Sequence, residues 1–191
     1  MCGRGDHAGA AERIVRGYGP ELFSFLAAFH RNDSEANDAF SDLAEAVMRG
    51  LPGFAWQSTL RTWLYGIARN VSYRHRRNEA RRRRRVGEAE TSTLEGVVHQ
   101  VRTETAAFMR TEKKTRLQAL RDSLPEDDRM LLVLRVDRDL AWSDLARVLH
   151  DGDEGQLDDA TLTREVARLR KRFQLVKERL RDLAKKEGLL D

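Results

Sequence analysis

The sequence of 191 residues is long enough for one domain of average size or for two small ones. Its composition, 40% apolar and 35% charged with three prolines, favours a helical, well-solvated protein over a β-sandwich or a barrel. No apolar run approaches the roughly 18 residues of a membrane span and the first residues lack the apolar core of a signal peptide, so we expect a cytoplasmic protein.

The residues that usually build catalytic or metal sites are sparse. Cys2 is the only cysteine, which excludes an internal disulfide and a cysteine cluster for zinc. The five histidines do not have the spacing of metal ligands, and neither a Walker-type loop nor a GxGxxG loop occurs. The sequence therefore predicts no metal, no cofactor and no catalytic residue, and a protein that is not an enzyme.

Positive charge is concentrated in two segments. Residues 69–85 contain nine Arg and one Glu, a net charge of +8, and residues 164–186 contain ten basic and three acidic residues, a net charge of +7. Because the whole chain carries only +4, the remainder carries −11. Two separate basic clusters on an otherwise acidic chain indicate two contacts with nucleic acid.

The first two predicted helices are amphipathic. The first covers residues 8–30, and a break is expected at Gly17, Gly19 and Pro20, because proline is favoured in the first turn of a helix. The second helix covers about residues 34–49 and has one apolar and one acidic side. Such an acidic side is either simply solvated or a binding surface, and the residues alone leave both readings open.

A third predicted helix follows Ser58, which we expect to be its N-cap. Its apolar positions have helical spacing and predict one buried stripe: Leu60, Trp63, Leu64, Ile67, Ala68 and Val71. Another line on the same helix combines basic groups with an aromatic ring and a hydroxyl: Arg61, Tyr65, Arg69, Ser72 and Arg76. This line, together with the excess of arginine, indicates a polyanionic partner.

Helical periodicity weakens over residues 78–114, which are predicted to be a flexible linker with room for one helix. Residues 115–191 then show a short amphipathic helix from Trp142 to His150, an interruption, and a basic helix over about residues 161–186. This order is typical of a helix-turn-helix unit. The predicted fold class is all-α, with two small helical domains, residues 1–77 and 115–191, of which the second is the helix-turn-helix.

The final helix admits two interpretations. Its apolar residues recur at heptad spacing, which is typical of a coiled coil with a solvated opposite face. Its N-terminal half, however, is crowded with basic residues, and this is the part that a helix-turn-helix presents to DNA. The candidate DNA-contacting residues are Thr163, Arg164, Arg168, Arg170, Lys171 and Arg172.

Together these residues resemble bacterial sigma factors of the extracytoplasmic-function type, the small two-domain members of the sigma-70 family. Residues 50–77, GLPGFAWQSTLRTWLYGIARNVSYRHRR, are similar to the family's promoter-melting segment, G-L-P-x-F-x-x-x-S-x-L-x-T-W-L-x-x-I-A-x-N. The preceding EANDAFSDLAEAVMRG is similar to the family's acidic helix that docks on core RNA polymerase. The resemblance covers nearly the whole chain.

The resemblance implies that residues 1–77 bind core polymerase and melt the minus-10 element, and that residues 115–191 bind the duplex minus-35 element. The implied minus-10 contacts are Phe54, Trp56, Gln57, Ser58, Arg61, Tyr65, Arg69, Asn70, Arg76 and Arg77. Asp38, Asp42 and Glu45 would contact the clamp of the largest polymerase subunit, and the flap of the second-largest subunit is a further expected contact. An anti-sigma factor is a partner that the sequence neither shows nor excludes.

The chain departs from the family pattern at three places. The acidic stretch DGDEGQLDDAT separates the two helices of the helix-turn-helix, where a short turn is usual. We expect it to point away from DNA or to be a contact for polymerase or a regulator. Arg74 and Trp142 stand where the family more often has Asp and Tyr. A helix-turn-helix regulator that is not a sigma factor, or a coiled-coil interaction protein, is the alternative, although neither explains both basic clusters.

Overall fold

A computed structural model describes residues 6–30, 32–82, 94–109, 116–150 and 157–190, with side chains except at 78–82, 95, 104–109 and 116–118. The chain forms two compact units, Met1–Arg110 and Thr111–Asp191. All regular elements within the described ranges are helices, which confirms the predicted all-α class. None of these helices is long and apolar enough to cross a membrane.

Four helices build the first unit around an aromatic core. They are α1 (His7–Phe29), α2 (Asp33–Gly50), α3 (Leu60–Arg82) and α4 (Glu95–Met109), with a short 3₁₀ turn at Leu51–Gly53. Phe23 meets Phe40 edge to face across α1 and α2, and Phe25 meets Tyr65 in the same way across α1 and α3, each at 5.4 Å between ring centroids. These contacts hold the first three helices together.

The break predicted at Pro20 is absent, because α1 continues through this residue. Proline costs the helix one backbone hydrogen bond, so packing must support the helix here. Gly19 is buried where α1 meets its neighbours, and a Cβ placed on it would lie 3.0 Å from Val101 Cγ1 and 3.3 Å from Phe40 Cζ. Close packing on both sides of Gly19 therefore explains why α1 is not interrupted.

Side chains cap the starts of the first three helices, and the cap of α3 differs from the predicted one. Asp6 and Asn32 accept hydrogen bonds from the backbone N–H groups of Gly9 and Ser34 at the starts of α1 and α2. At α3 the cap is Thr59, whose Oγ1 accepts the N–H of Thr62 at 3.1 Å. The predicted cap, Ser58, instead donates its hydroxyl to the Thr59 carbonyl.

Part of the stretch predicted as a linker belongs to the first unit. Helix α3 extends to Arg82, and α4 lies inside residues 78–114 and packs on α1 and α2. The side chains that face this packing are apolar and buried: Leu94, Val97, Val98 and Val101. The remainder of the predicted linker, residues 83–93 and 110–114, lies outside the described residues.

The second unit places one long helix against three short ones. These are α5 (Arg116–Asp122), α6 (Glu126–Leu132), which continues into a π-helical turn at Val133–Asp137, α7 (Trp142–Leu149) and the long α8 (Asp159–Lys186). The heptad residues of α8 face the other helices: Val176 packs with Leu124 and Leu132, and Phe173 and Leu180 lie against this cluster. The apolar seam of α8 is therefore covered within its own unit.

Candidate nucleic-acid interface

Two aromatic rings of the loop before α3, Phe54 and Trp56, cluster with Trp63 of α3. The ring of Phe54 stacks on that of Trp63, with an interplanar angle of 28° and centroids 4.8 Å apart. The ring of Trp56 is tilted against Phe54 at the same centroid distance. Trp63 is the anchor, since it is half-buried and its ring closes against Gly50, where an added Cβ would lie 3.0 Å from Trp63 Cζ2. The loop thus presents aromatic surface on a packed base.

Trp56 is the most exposed large apolar side chain of this loop, with 69% of its surface accessible. Its backbone is left-handed, with φ of 60°, a conformation that costs a non-glycine residue about 1–2 kcal/mol. Strained backbone of this kind clusters at functional sites. Gln57 is exposed beside it, and Ser58 is partly exposed. The loop therefore offers a flat ring that is open for stacking.

The predicted basic line of α3 does not face solvent along its whole length. Tyr65 is fully buried and donates its hydroxyl to Glu21 Oε1 at 2.8 Å, so it is a correction to the predicted contact set. Arg61 Nε donates to the same carboxylate at 3.0 Å, and this hydrogen bond raises the pKa of Arg61 above its ordinary value. Ser72 is buried and hydrogen-bonded to His30. This line ties α3 to α1.

The accessible side of α3 is rotated from the predicted line. Arg69 lies over the ring of Tyr73, with its guanidinium carbon 5.1 Å from the ring centroid, and its Nη1 donates to Asn70 Oδ1. Asn70 and Arg77 are exposed, and Arg76 is half-buried. Tyr73 was missed in the sequence, although its position four residues after Arg69 would bring the two side chains together.

The three acidic residues of α2 that are predicted to contact polymerase each lie near a cation of the same unit. Asp38 acts electrostatically on Arg102 of α4. Asp42 Oδ2 contacts His75 Nε2 at 2.7 Å and accepts a hydrogen bond from Arg74 at 3.3 Å, and Glu45 pairs with Arg49 one turn further on. The acidic side of α2 is therefore only partly available to a partner.

The contacts of Asp42 predict how its contribution to stability depends on pH. Burial would raise its pKa, but the hydrogen bond and charge of His75 and the charge of Arg74 outweigh burial and lower the pKa below 3.8. A lowered pKa stabilises the folded state above the ordinary pKa, and this stabilisation is lost as the pH falls through the folded-state value. We expect Asp42→Asn to lower the urea midpoint near neutral pH.

The difference between Asp42→Asn and the wild type should shrink below about pH 4, where the wild-type carboxylate becomes protonated. Urea titrations at three pH values, one near neutrality and two in this acidic range, measure it. Glu45→Gln is the matched control, because Glu45 is held only by an exposed neighbour on its own helix. A difference that does not vary with pH would contradict this account of Asp42.

In the second unit, the basic N-terminal half of α8 is largely exposed. Arg164 donates to Thr161 Oγ1 at 3.0 Å, and the guanidinium of Arg170 lies 5.7 Å from the ring centroid of Trp142. Arg164, Arg170 and Lys171 form no ion pair with a carboxylate in the described part of the chain, whereas Arg168 pairs with Glu165 at 2.7 Å. Exposed cations that are not ion-paired to a carboxylate are suited to bind phosphates.

Arg172 has a structural position that the sequence did not reveal. Its Nε donates to Asp128 Oδ1 at 2.7 Å, and Arg179 donates to the other oxygen of this buried carboxylate at 2.8 Å. Burial would lower the pKa of Arg172, but the hydrogen bond and charge of Asp128 raise it above its ordinary value. Arg172 therefore joins α8 to α6 and is a correction to the predicted DNA contacts.

Removing the Asp128 carboxylate is expected to destabilise the second unit. Asp128→Ala leaves two arginines without their shared partner, and because their side chains are 34% and 52% exposed we expect a loss of about 1–3 kcal/mol, less than for a fully buried pair. Thermal unfolding of the purified protein measures the loss. Asp127→Ala is the control, because Asp127 is exposed and its carboxylate lies 3.4 Å from Arg172. An equal loss of stability in both variants would contradict the role of Asp128.

Comparisons with known proteins find similarity to RNA polymerase sigma factors. Residues 14–82 match the family model of Sigma-70 region 2. The chain is 26% identical to the RNA polymerase sigma factor YlaC of Bacillus subtilis over 144 residues, 75% of this chain and 81% of that protein. It is 28% identical to the RNA polymerase sigma-H factor of Pseudomonas aeruginosa over 150 residues, 76% of this chain and 77% of that protein. No solved structure matches the chain significantly.

Proposed function

We propose that this chain belongs to the sigma-70 family of RNA polymerase sigma factors, as a member of its extracytoplasmic-function type, and that its two units divide promoter recognition between them. Both aligned relatives match over more residues than the first unit contains, so the likeness extends into the second unit. The chain would bind core polymerase in the cytoplasm and direct it to specific promoters. RNA synthesis itself would belong to the polymerase.

The first unit would capture the unpaired bases of the minus-10 element. The observation that carries this proposal is Trp56, an exposed ring in a left-handed conformation, supported by Phe54 and Trp63. A base leaving the duplex loses stacking, and an open aromatic face that is already in place compensates for part of that loss. Strand opening would thus be favoured by a surface that needs no reorganisation.

The accessible side of α3 would hold the backbone of the same strand. Arg69, Asn70 and Arg77 offer charged and hydrogen-bonding groups there, and Tyr73 supports Arg69 from below. Phosphate contacts position a nucleic acid, and base contacts specify its sequence. The proposed minus-10 surface therefore consists of the 54–58 loop and this side of α3, without Tyr65 and with Arg61 in a supporting position against Glu21.

The second unit would bind duplex DNA at the minus-35 element through α8. Thr163, Arg164, Arg168, Arg170 and Lys171 are all exposed on its N-terminal half. The apolar seam on the other side of the helix packs on Leu124 and Leu132, which leaves this half outward. A helix held in this way can enter a major groove with basic side chains facing bases and phosphates.

The direct test of the proposed function is initiation by purified core polymerase. The chain should permit run-off transcription from a specific promoter and no other, and polymerase without it should give none. A helix-turn-helix regulator or a coiled-coil protein would fail to support initiation from any promoter. Promoters for this test can be selected by incubating the reconstituted holoenzyme with a library of fragments and sequencing the transcripts.

A further inference from the structure

Helix α4 covers a face of the first unit that includes part of α2. Its buried residues Val97, Val98 and Val101, with Leu94 just before the helix, form the apolar side of the contact with α1 and α2. Val101 fits against Gly19, where a Cβ on α1 would lie 3.0 Å from Val101 Cγ1, closer than ordinary van der Waals contact. A glycine inside a helix is unfavourable by itself, so Gly19 is best explained as the socket for α4.

Polar contacts extend this cover across α2. The Nη2 group of Arg102 donates to the backbone carbonyl of Asn37 and to the hydroxyl of Ser41, and Asp38 lies close enough to act on its charge. On α1, Arg16 donates to Gln100 Oε1 at 3.2 Å. Arg102 thus occupies the part of α2 that carries Asp38, one of the proposed polymerase contacts.

The docked position of Arg102 is incompletely satisfied. Its Nε is buried and has no hydrogen-bond acceptor among the described residues. Burial also lowers the pKa of Arg102, and the charge of Asp38 offsets this effect only in part. The burial and the unsatisfied donor reduce, but do not cancel, what the hydrogen bonds of Arg102 contribute to the contact, so α4 is held mainly by its apolar side.

We infer that α4 and core polymerase compete for this face of α2, so that α4 must leave before the polymerase binds. Arg102 takes the position that a basic side chain of the polymerase would take beside Asp38. The inference rests on the proposed function and adds a form of regulation to it. The free chain is then partly self-inhibited, and any influence that displaces α4 raises its affinity for core polymerase.

A reversible covalent lock tests this competition. A Cβ placed on Gly19 lies 3.0 Å and 3.2 Å from the two γ carbons of Val101. The sulfur of a cysteine at position 101 would occupy one of these γ positions, close enough to the Cβ of position 19 for a disulfide between the two residues. We therefore suggest Gly19→Cys with Val101→Cys in the full chain, with Cys2→Ser to remove the native thiol. Affinity for core polymerase is measured in the oxidised state and again after reduction.

We expect the oxidised double variant to bind core polymerase at least about tenfold more weakly than the same protein after reduction. The two single-cysteine variants should show no dependence on oxidation. Equal affinity of the oxidised and reduced double variant would overturn the inference, because α4 would then remain docked in the complex. Failure of the Cys2→Ser parent to bind core polymerase at all would instead overturn the proposed function.

A second variant tests the inference without any cross-link. Arg102→Ala removes the polar part of the α4 contact but leaves its apolar side intact, so the first unit should stay folded. We expect it to bind core polymerase several-fold more tightly than the wild type. Unchanged or weaker binding would contradict competition at this face. Arg16→Ala, which removes the contact with Gln100 and an exposed ion pair with Glu12 on α1 but leaves α2 untouched, is the matched control and should have the smaller effect.

Discussion

Trp56→Ala is expected to weaken the binding of holoenzyme to single-stranded minus-10 DNA by about 10- to 100-fold. The estimate follows from the value of base stacking on an aromatic side chain, about 1–3 kcal/mol for each base. Trp56 is the most open ring of the 54–58 loop, and no other exposed aromatic side chain of the described loop residues could replace it. Fluorescence anisotropy with a labelled minus-10 oligonucleotide measures the effect.

Two further substitutions at this position separate function from folding. Trp56→Phe keeps a stacking face and should retain most of the affinity. Trp56→Gly relieves the left-handed backbone while removing the ring, so its free energy of unfolding should stay within about 1 kcal/mol of the wild type although DNA binding is lost. Full affinity of Trp56→Ala for the minus-10 strand would exclude this loop as the site of base capture.

Arg164→Ala combined with Lys171→Ala is expected to reduce minus-35-dependent initiation by about tenfold or more, with core binding intact. Both residues are exposed on α8, seven residues apart, and neither pairs with a carboxylate of the described chain. Loss of two phosphate contacts should also reduce the slope of log affinity against log salt by about 2. Arg168 would be a less informative residue to substitute together with Arg164, because it is paired with Glu165.

The same helix supplies a control of equal charge. Lys185→Ala with Lys186→Ala removes two cations from the C-terminal end of α8, far from the half that would face DNA, and should leave minus-35 initiation nearly unchanged. Binding of a minus-35 duplex at several salt concentrations, and run-off transcription, compare the two variants. Equal losses in both would mean that α8 contributes only general charge. Loss of core binding would mean that the roles of the two units are misassigned.

The sequence predicted the helices well because apolar spacing determines which side of a helix is buried. It predicted the polar sides less well. Residues four apart on a helix advance by about 40° with each step, so a line such as Arg61, Tyr65 and Arg69 does not stay on one side of the helix. The positions of Glu21 and Phe25 on α1 show that Tyr65 belongs inside.

The other differences also come from tertiary contacts. Pro20 is tolerated because Val101, 82 positions after Gly19 in the chain, packs against Gly19. No local sequence pattern reveals this contact. Ser58 and Thr59 both carry a hydroxyl that could cap α3. Only the position of these hydroxyls in the structure shows that Thr59 accepts the N–H of Thr62 and that Ser58 does not act as the cap. Helix α4 was assigned to a linker because its apolar residues, centred on Val97, Val98 and Val101, are too few to distinguish a docked helix from a connecting segment.

Asp128 binds Arg172 and Arg179 at the same time, and these arginines lie two turns apart along α8. A carboxylate that binds two residues at different positions along a helix restrains both the rotation of the helix about its long axis and its translation along that axis. If α8 binds DNA as proposed, its outward side chains should keep their orientation when a neighbouring side chain on the helix is substituted. This unit is therefore a suitable scaffold for reprogramming promoter choice one base-reading side chain at a time.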